Sequence, residues 1–308
     1  MQTITDWQRL DQALKGASVA MGNFDGVHLG HRSVIALAAA EPEPLGIVTF
    51  EPHPRAFFAP KAAHFRLMNA EARGHRLEKL GVERLYELRF DAALAEMSAE
   101  DFVQEVLCAG LGVRHVTVGA DFRFGKGRTG TAEVLAELGA ACGFGVTIAP
   151  LLRIEGLDVS STAIRQALSE GRPRDAAAML GHWHRIEGAV EHGAKRGRTL
   201  GYPTANMGLT GLHLPRLGVY AVRVEVLGGP QAGNYDGVAS LGVRPMFGQN
   251  APNLETHLFD FSGDLYEQHI SVALIDYLRP EIKFASLEAL VAQIEADCSA
   301  ARSCLTAL

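Results

Sequence analysis

The sequence predicts an α/β domain with a parallel sheet over residues 1–183, then an antiparallel β domain with a closing helix over 184–308. Three observations lead there. Up to about residue 180, short apolar runs such as GIVTF (46–50) and HVTVGA (115–120) alternate with segments of helical period, AEDFVQEVLCAGL and TAEVLAELGAACG among them. That rhythm is the βαβ unit, whose strands are buried on both faces and so read as continuous apolar runs. After RDAAAMLGHWHR the period shortens to two, and YAVRVEV puts Tyr220, Val222, Val224 and Val226 on one face. Finally, 308 residues of which 47% are hydrophobic supply two cores more readily than one.

Taken in order, ASVAM (17–21) reads as a buried strand, Gly22 to Gly30 as a tight loop, and HRSVIALAAA as the opening turns of a helix. NLETHLFDF and HISVALIDYL alternate as YAVRVEV does, with glycine turns between them. In the tail SLEALVAQIEADCSAA, Leu287, Leu290, Val291 and Ile294 are spaced i, i+3, i+4, i+7 behind a Ser286 cap, which predicts a helix packing that stripe on the β domain. With no repeat and no low-complexity linker, the boundary near residue 183 is expected to be a short join.

Composition narrows the function. A net charge of −6 and a pI near 6.1 provide no broad basic field for nucleic acid or an anionic membrane, so the expected partners are small-molecule substrates. Cys108, Cys142, Cys298 and Cys304 stand too far apart for a CxxC clamp and suit a reducing compartment. The start MQTITDWQRLDQALKG lacks the basic and apolar regions of a leader, and no run is long enough for a membrane span, so a cytoplasmic protein is expected, with a homo-oligomer left open.

Phosphate chemistry is suggested by MGNFDGVHLGH (21–31). A strand-to-helix turn in a parallel sheet converges backbone N–H groups and the helix dipole on an anion. His28 and His31, three apart, can point the same way and donate to it, and Gly30 allows close approach. Satisfied loop residues or half of a metal site are the alternatives, but a pair in this glycine-rich setting favours phosphate chemistry, and no third ligand follows at zinc spacing. In SSTAIR, Ser160, Ser161 and Thr162 offer hydroxyls and amides at a helix start and Arg165 a planar fork for phosphate; a well-capped helix would look alike. In HGAKRGRTLGYPTANM, a glycine-rich loop with Gly193, Lys195, Arg196 and Arg198 can wrap a triphosphate, while Thr204 and Asn206 present oxygens on one face, a magnesium–nucleotide arrangement. A charged hairpin tip is the plainer alternative.

GNFDGVHLGH closely resembles the GxFDGxHxGH signature of nucleotidylyltransferases, and TFEPHP (49–54), VGADFRFGKGRTG (118–130), VSSTAIRQAL (159–168) and GRTLGYPTAN extend the resemblance, in order, to the bacterial bifunctional riboflavin kinase/FAD synthetase family. The resemblance implies a Rossmann-like nucleotidylyltransferase domain joined to a riboflavin-kinase-like antiparallel β-barrel with a terminal helix. It implies two reactions, phosphorylation of riboflavin by ATP to FMN and adenylylation of FMN by a second ATP to FAD and pyrophosphate, with Mg2+ as cofactor. It assigns Gly22, Asn23, Phe24, Asp25, Gly30, Ser160, Ser161, Thr162, Gly193, Lys195 and Arg198 to nucleotide; His53, Asp121, Phe122, Arg123 and Phe124 to flavin; Thr204 and Asn206 to metal. His28, His31 and Arg165 then serve adenylyl transfer, and Glu255 of LETHLFDF is the general base for the ribityl hydroxyl. Three residues depart from the pattern: Met246 where threonine is frequent, Glu267 where glycine is common, and Ala163 in place of an arginine. An adenylyltransferase whose β domain only senses flavin is the principal alternative, against which PTAN and Glu255 argue. A noncatalytic flavin carrier is a third.

Overall fold

A computed structural model of the chain describes residues 1–60, 65–154, 157–192, 200–246 and 249–307. Two compact units emerge from its contacts, Met1–Ala62 with Arg73–Val159, and Ala63–Ala72 with Ser160–Leu308.

The first unit is built on strands β1 (Gln2–Ile4), β2 (Ser18–Met21), β3 (Leu45–Glu51), β4 (Arg84–Arg89), β5 (His115–Gly119), the short pair β6 (Arg123–Phe124) and β7 (Gly130–Thr131), then β8 (Gly145–Ala149) and the short pair β9 (Arg153–Ile154) and β10 (Leu157–Asp158). Six of them form one parallel sheet in the order β1-β4-β3-β2-β5-β8. Winding therefore proceeds in both directions from β2, and the carboxyl end of β2 is the topological switch point. All four residues of β2 and the first six of β3 are buried, as expected of strands covered on both faces.

Helices α1 (Leu29–Ala38), α2 (Pro54–Phe58), α3 (Ala70–Glu78), α4 (Ala92–Glu96), α5 (Ala99–Asp101) and α6 (Ala132–Cys142) fill the connections. Local chemistry sets the limits of α6: Thr131 caps the Val134 amide and Gly143 leaves at φ +82°. The segment AEDFVQEVLCAGL is helical as its period predicts, but after α5 it widens into a π-helix, Phe102–Gly110. The wider turn carries Gly110 against Trp7, where a Cβ would stand 2.6 Å from the ring.

In the second unit, α7 (Ser161–Ser169) and α8 (Pro173–Leu180) precede β11 (Arg185–Ala189), β12 (Ala205–Gly208), β13 (Gly218–Val226), β14 (Gly233–Met246), β15 (Gln249–Leu258), β16 (His269–Arg279) and α9 (Leu287–Thr306). The strands form an antiparallel sheet in the order β11-β16-β13-β14-β15-β12. A bridge between Glu191 and Asn206, with Glu191 N–H donating to the Asn206 carbonyl at 2.8 Å, brings the two edge strands together into a nearly closed barrel. Tyr220, Val222, Val224 and Val226 all point into its core, as their alternation predicts.

The terminal helix forms behind its Ser286 cap, and the expected stripe is covered only in part, Leu290, Val291 and Ile294 being half-buried. Leu287 is 56% exposed, whereas Ala301 and Leu305, flanked by Cys298 and Cys304, pack on Val219, Ala221, Val238 and Ile275. Bidentate ion pairs flank that half of the helix: Arg279 binds Asp297 at 2.8 and 2.6 Å, and Arg302 binds Asp260 at 2.8 and 3.0 Å.

His184, just before β11, is buried, and its carbonyl accepts from the Leu274 amide. Burial first, then the neighbouring His213 and His182, pushes its imidazole down to about 3 from the usual 6.5. Above the unfolded value both states are neutral; below it only the unfolded chain takes the proton, so stability falls with pH down to the folded value. Urea unfolding is expected to lose about 1.4 kcal/mol for this group with each pH unit below about 6.5. Comparing the slope between pH 7.5 and 5 with that of His184→Gln checks this, since the variant should be flatter.

Candidate active sites

Beyond Met21 the chain turns at the switch point. The Gly22 amide donates to the Val48 carbonyl at 3.1 Å, and the Asn23 carbonyl accepts from Thr49 Oγ1 at 3.3 Å and Arg73 Nη1 at 3.5 Å. Phe24 and Val27 adopt φ of +50° and +44° although neither is glycine, and both are fully buried. Such residues hold left-handed backbone only where packing over-determines it, at about 1–3 kcal/mol each. Asp25 is buried beside them.

Sequence periodicity starts the helix at His31, whereas α1 begins at Leu29 because His28 is its cap: Nδ1 accepts from the His31 amide at 3.2 Å. That bond settles the tautomer. With Nδ1 accepting, the neutral ring carries its proton on Nε2. The His28 and His31 rings stack at 3.6 Å between centroids with 15° between planes, and Phe24 lies 5.2 Å from His31. Burial, then His28, holds His31 well below the usual histidine value, so it is a neutral imidazole at physiological pH. Its Nδ1 is buried without a hydrogen-bond partner. Gly30 leaves room for this stack, since a Cβ there would stand 3.1 Å from His28 Cε1 and Nδ1 and the ring would have to shift by a few tenths of an ångström. Gly22, Asn23, Phe24, Asp25, His28, Gly30 and His31 thus share one turn at the carboxyl edge of the sheet.

Arg73 was not singled out by any motif. It is 1% exposed and ion-paired to Glu87 at 2.7 Å and Glu51 at 3.2 Å, in addition to holding the Asn23 carbonyl. Only the fold brings α3 and the ends of β3 and β4 under the loop, so no local spacing could have revealed it.

Of the residues assigned to flavin, His53 caps α2, its Nδ1 accepting from the Arg55 amide at 3.0 Å. The following helix adds aromatics that the sequence reading passed over: Phe57 and Phe58 lie 5.4 and 5.7 Å from Phe90, with Phe58 68% exposed. Phe122 and Phe124 stack at 5.8 Å, but Phe124 is buried against Phe102 in the core, while Asp121 and Arg123 are exposed. Most of the Phe124 ring is therefore taken up by packing.

Ser160 caps α7 by accepting from the Ala163 amide at 3.2 Å; Ser161 is half-buried and Thr162 exposed in the first turn. Arg165 turns its Nε to the Phe65 carbonyl at 2.6 Å and lies over the Phe65 ring. Part of its fork is thus already engaged by the protein.

In the second unit the register sets Asn206 of β12 opposite Glu255 of β15. Asn206 is 8% exposed, and Asn253 Nδ2 donates to its Oδ1 at 3.0 Å and to Glu255 Oε1 at 3.4 Å. A cavity of about 550 Å3 is lined by Thr204, Val190, Leu258, Phe261, Asp264 and Tyr266. Gly193, Lys195, Arg196 and Arg198 lie outside the described residues, as does the side chain of Met246. Glu267 adopts φ +64°, the left-handed region that favours the glycine common at this position in the family.

A glycine-rich, histidine-bearing turn at the switch point of a parallel sheet, and a β-barrel setting a carboxylate opposite a carboxamide, are the features of a two-part phosphotransfer enzyme. The sequence matches the FAD synthetase family over residues 10–163 and the riboflavin kinase family over residues 180–305. It is 42% identical over 308 residues to the bifunctional riboflavin kinase/FMN adenylyltransferase of Pseudomonas fluorescens, covering 98% of this chain and 97% of the relative. With the Escherichia coli K12 protein of the same name it shares 39% over 302 residues, 96% of each chain. A crystal structure described as a macrolide-efflux protein from Streptococcus pneumoniae superimposes with TM-score 0.82 at 32% identity over 98% of both chains. The chain belongs to the bifunctional riboflavin kinase/FMN adenylyltransferase family. Among the described residues no helix is long and apolar enough to cross a membrane.

Arg73→Met should leave Glu51 and Glu87 facing each other without their cation, destabilising the protein by about 3 kcal/mol. Urea denaturation measures this, and an unchanged midpoint would show the ion pairs to be dispensable.

Proposed function

We propose that residues 184–308 phosphorylate riboflavin and residues 1–183 adenylylate the FMN produced. In the first reaction the ribityl hydroxyl attacks the γ-phosphorus of ATP, its proton passing to Glu255 and ADP leaving. In the second an FMN phosphate oxygen attacks the α-phosphorus of another ATP and pyrophosphate leaves. Neither needs a covalent intermediate, so the protein's part is alignment and neutralisation of charge.

Carrying the adenylyl-transfer reading is the stacked pair of neutral imidazoles in the first turn of α1, at the switch point of the sheet. His28 offers its Nε2–H and His31 a ring N–H to charge developing on the phosphates, adding to the dipole of α1. The second reaction's flavin is assigned to the surface carrying His53, Phe57, Phe58 and Phe122, with Asp121, Arg123 and Phe124 beside it. Ser160, Ser161, Thr162 and Arg165 are assigned to nucleotide by resemblance.

For the kinase reaction, the Asn206–Glu255 register supports placing metal ligand and base together, and the cavity beside Thr204 suits the nucleotide. Thr204 and Asn206 bring two neutral oxygens, a donor set that fits a hard divalent cation retaining water and sharing the triphosphate. When bound, Mg2+ would offset negative charge on the transferring phosphoryl group. Glu255 orients and deprotonates the hydroxyl; Gly193, Lys195 and Arg198 are assigned to the triphosphate.

Replacing His28 or His31 by alanine should slow FAD formation about a hundredfold, the usual consequence of losing one such donor, with FMN production preserved. Chromatography of the full chain with riboflavin, ATP and Mg2+ resolves the two products; equal loss of both in a folded variant would overturn the division of labour. Gly30→Ala should act similarly by displacing the His28 ring, while thermal stability changes little, since about 1 kcal/mol of helix propensity offsets about 1 kcal/mol of lost cap.

A further inference from the structure

Asn253 precedes Glu255 by two residues on β15, so both side chains leave the same face of the strand. Its carboxamide joins Glu255 to Asn206, donating through one Nδ2 to Oδ1 of Asn206 at 3.0 Å and to Oε1 of Glu255 at 3.4 Å. Asn206 in turn donates from Nδ2 to the Thr204 carbonyl at 3.2 Å.

The two ends of this chain dictate the orientation of both carboxamides. An ionised carboxylate and a backbone carbonyl can only accept. The Asn253 atom meeting Glu255 is therefore its –NH2, and the second hydrogen of that group requires an oxygen on Asn206. The Asn206 –NH2 is then left for the Thr204 carbonyl. Reversing either carboxamide sets acceptor against acceptor or donor against donor around the buried Asn206 and its half-buried partners, which is costly. An amide oxygen has two lone pairs, so accepting from Asn253 leaves one directed elsewhere.

We propose that Asn253 is a positioning residue for riboflavin phosphorylation: one –NH2 group fixes the oxygen that Asn206 offers to a divalent cation and, with its other hydrogen, the placement of the Glu255 carboxylate. This rests on the reading of Glu255 as base and of Thr204 and Asn206 as metal ligands, and adds that the two functions are mechanically linked. Without Asn253, Asn206 is free to turn its –NH2 toward the cation, and the carboxylate loses a restraint.

Steady-state kinetics of the full chain across Mg2+ concentrations, together with calorimetric titration of ADP with and without Mg2+, tests this. Asn253→Leu is expected to lower kcat for FMN formation and to raise the half-saturating Mg2+ concentration, each by on the order of tenfold, the effect of losing one hydrogen bond. The riboflavin KM should stay within about twofold. Asn253→Asp, of equal size but with no donor at neutral pH, should be no better, and Asn253→Ser, with one hydrogen for two acceptors, should fall between. ADP affinity without Mg2+ should match the wild type, while the gain from adding Mg2+ shrinks. FMN adenylylation by the same chain serves as the control for folding. A folded Asn253→Leu variant with wild-type kcat and Mg2+ dependence would overturn the proposal. So would a loss of kcat with no change in the Mg2+ effect on ADP binding, which would reduce Asn253 to packing. Glu255→Gln separates the underlying reading, because undiminished FMN formation by that variant would remove the base itself and the linkage with it.

Discussion

The hydrogen bond from the His31 amide to Nδ1 of His28 joins three properties in one contact. It starts α1 at Leu29, it leaves His28 with its proton on Nε2, and it holds two imidazoles face to face. A protonated pair at 3.6 Å would repel, so the stack is compatible with burial only because both rings can remain neutral. Everything beneath the turn serves to keep that contact in place. Gly30 leaves room for the ring, buried Phe24 and Val27 hold the left-handed backbone, and Arg73 and Thr49 anchor the Asn23 carbonyl. Arg73 does so as a buried cation between two carboxylates, and removing the cation would leave those carboxylates facing each other.

A different device serves the second unit. There the polar groups are ordered by strand register, and the bridge that brings β11 to β12 ends on Asn206 itself. Closure of the barrel and presentation of the carboxamide are thus parts of one structural event. A slip of one residue between β12 and β15 would send Asn206 and Glu255 to opposite faces. The alternating apolar residues of β13 oppose such slips throughout the sheet, since any shift would expose Val222 and Val224.

Much of the fold and of both sites is legible in local sequence. GIVTF, HVTVGA and YAVRVEV become the strands their periods announce, and Thr131 with Gly143 bounds a helix as cap chemistry requires. Where local reading and structure part, long-range contacts decide. The stripe Leu287, Leu290, Val291, Ile294 has perfect helical spacing, but Leu287 stays exposed and full burial comes only further along α9, at Ala301 and Leu305, beside the ion pair of Asp297 with Arg279. Phe124 has the chemistry of a flavin contact, and Phe102, 22 residues earlier, takes its ring into the core.

By itself, then, the sequence determined which elements form and which residues are candidates for phosphate chemistry, because helix period, strand period, capping and motif spacing act over a few neighbouring residues. Tertiary structure alone decided the neutral state of His31, the arginine beneath the switch-point turn, the buried half of the terminal helix, and the carboxamide linking Asn206 to Glu255. Those features depend on burial and on directional contacts between residues distant in the chain, and neither exists until the sheet order and register are complete.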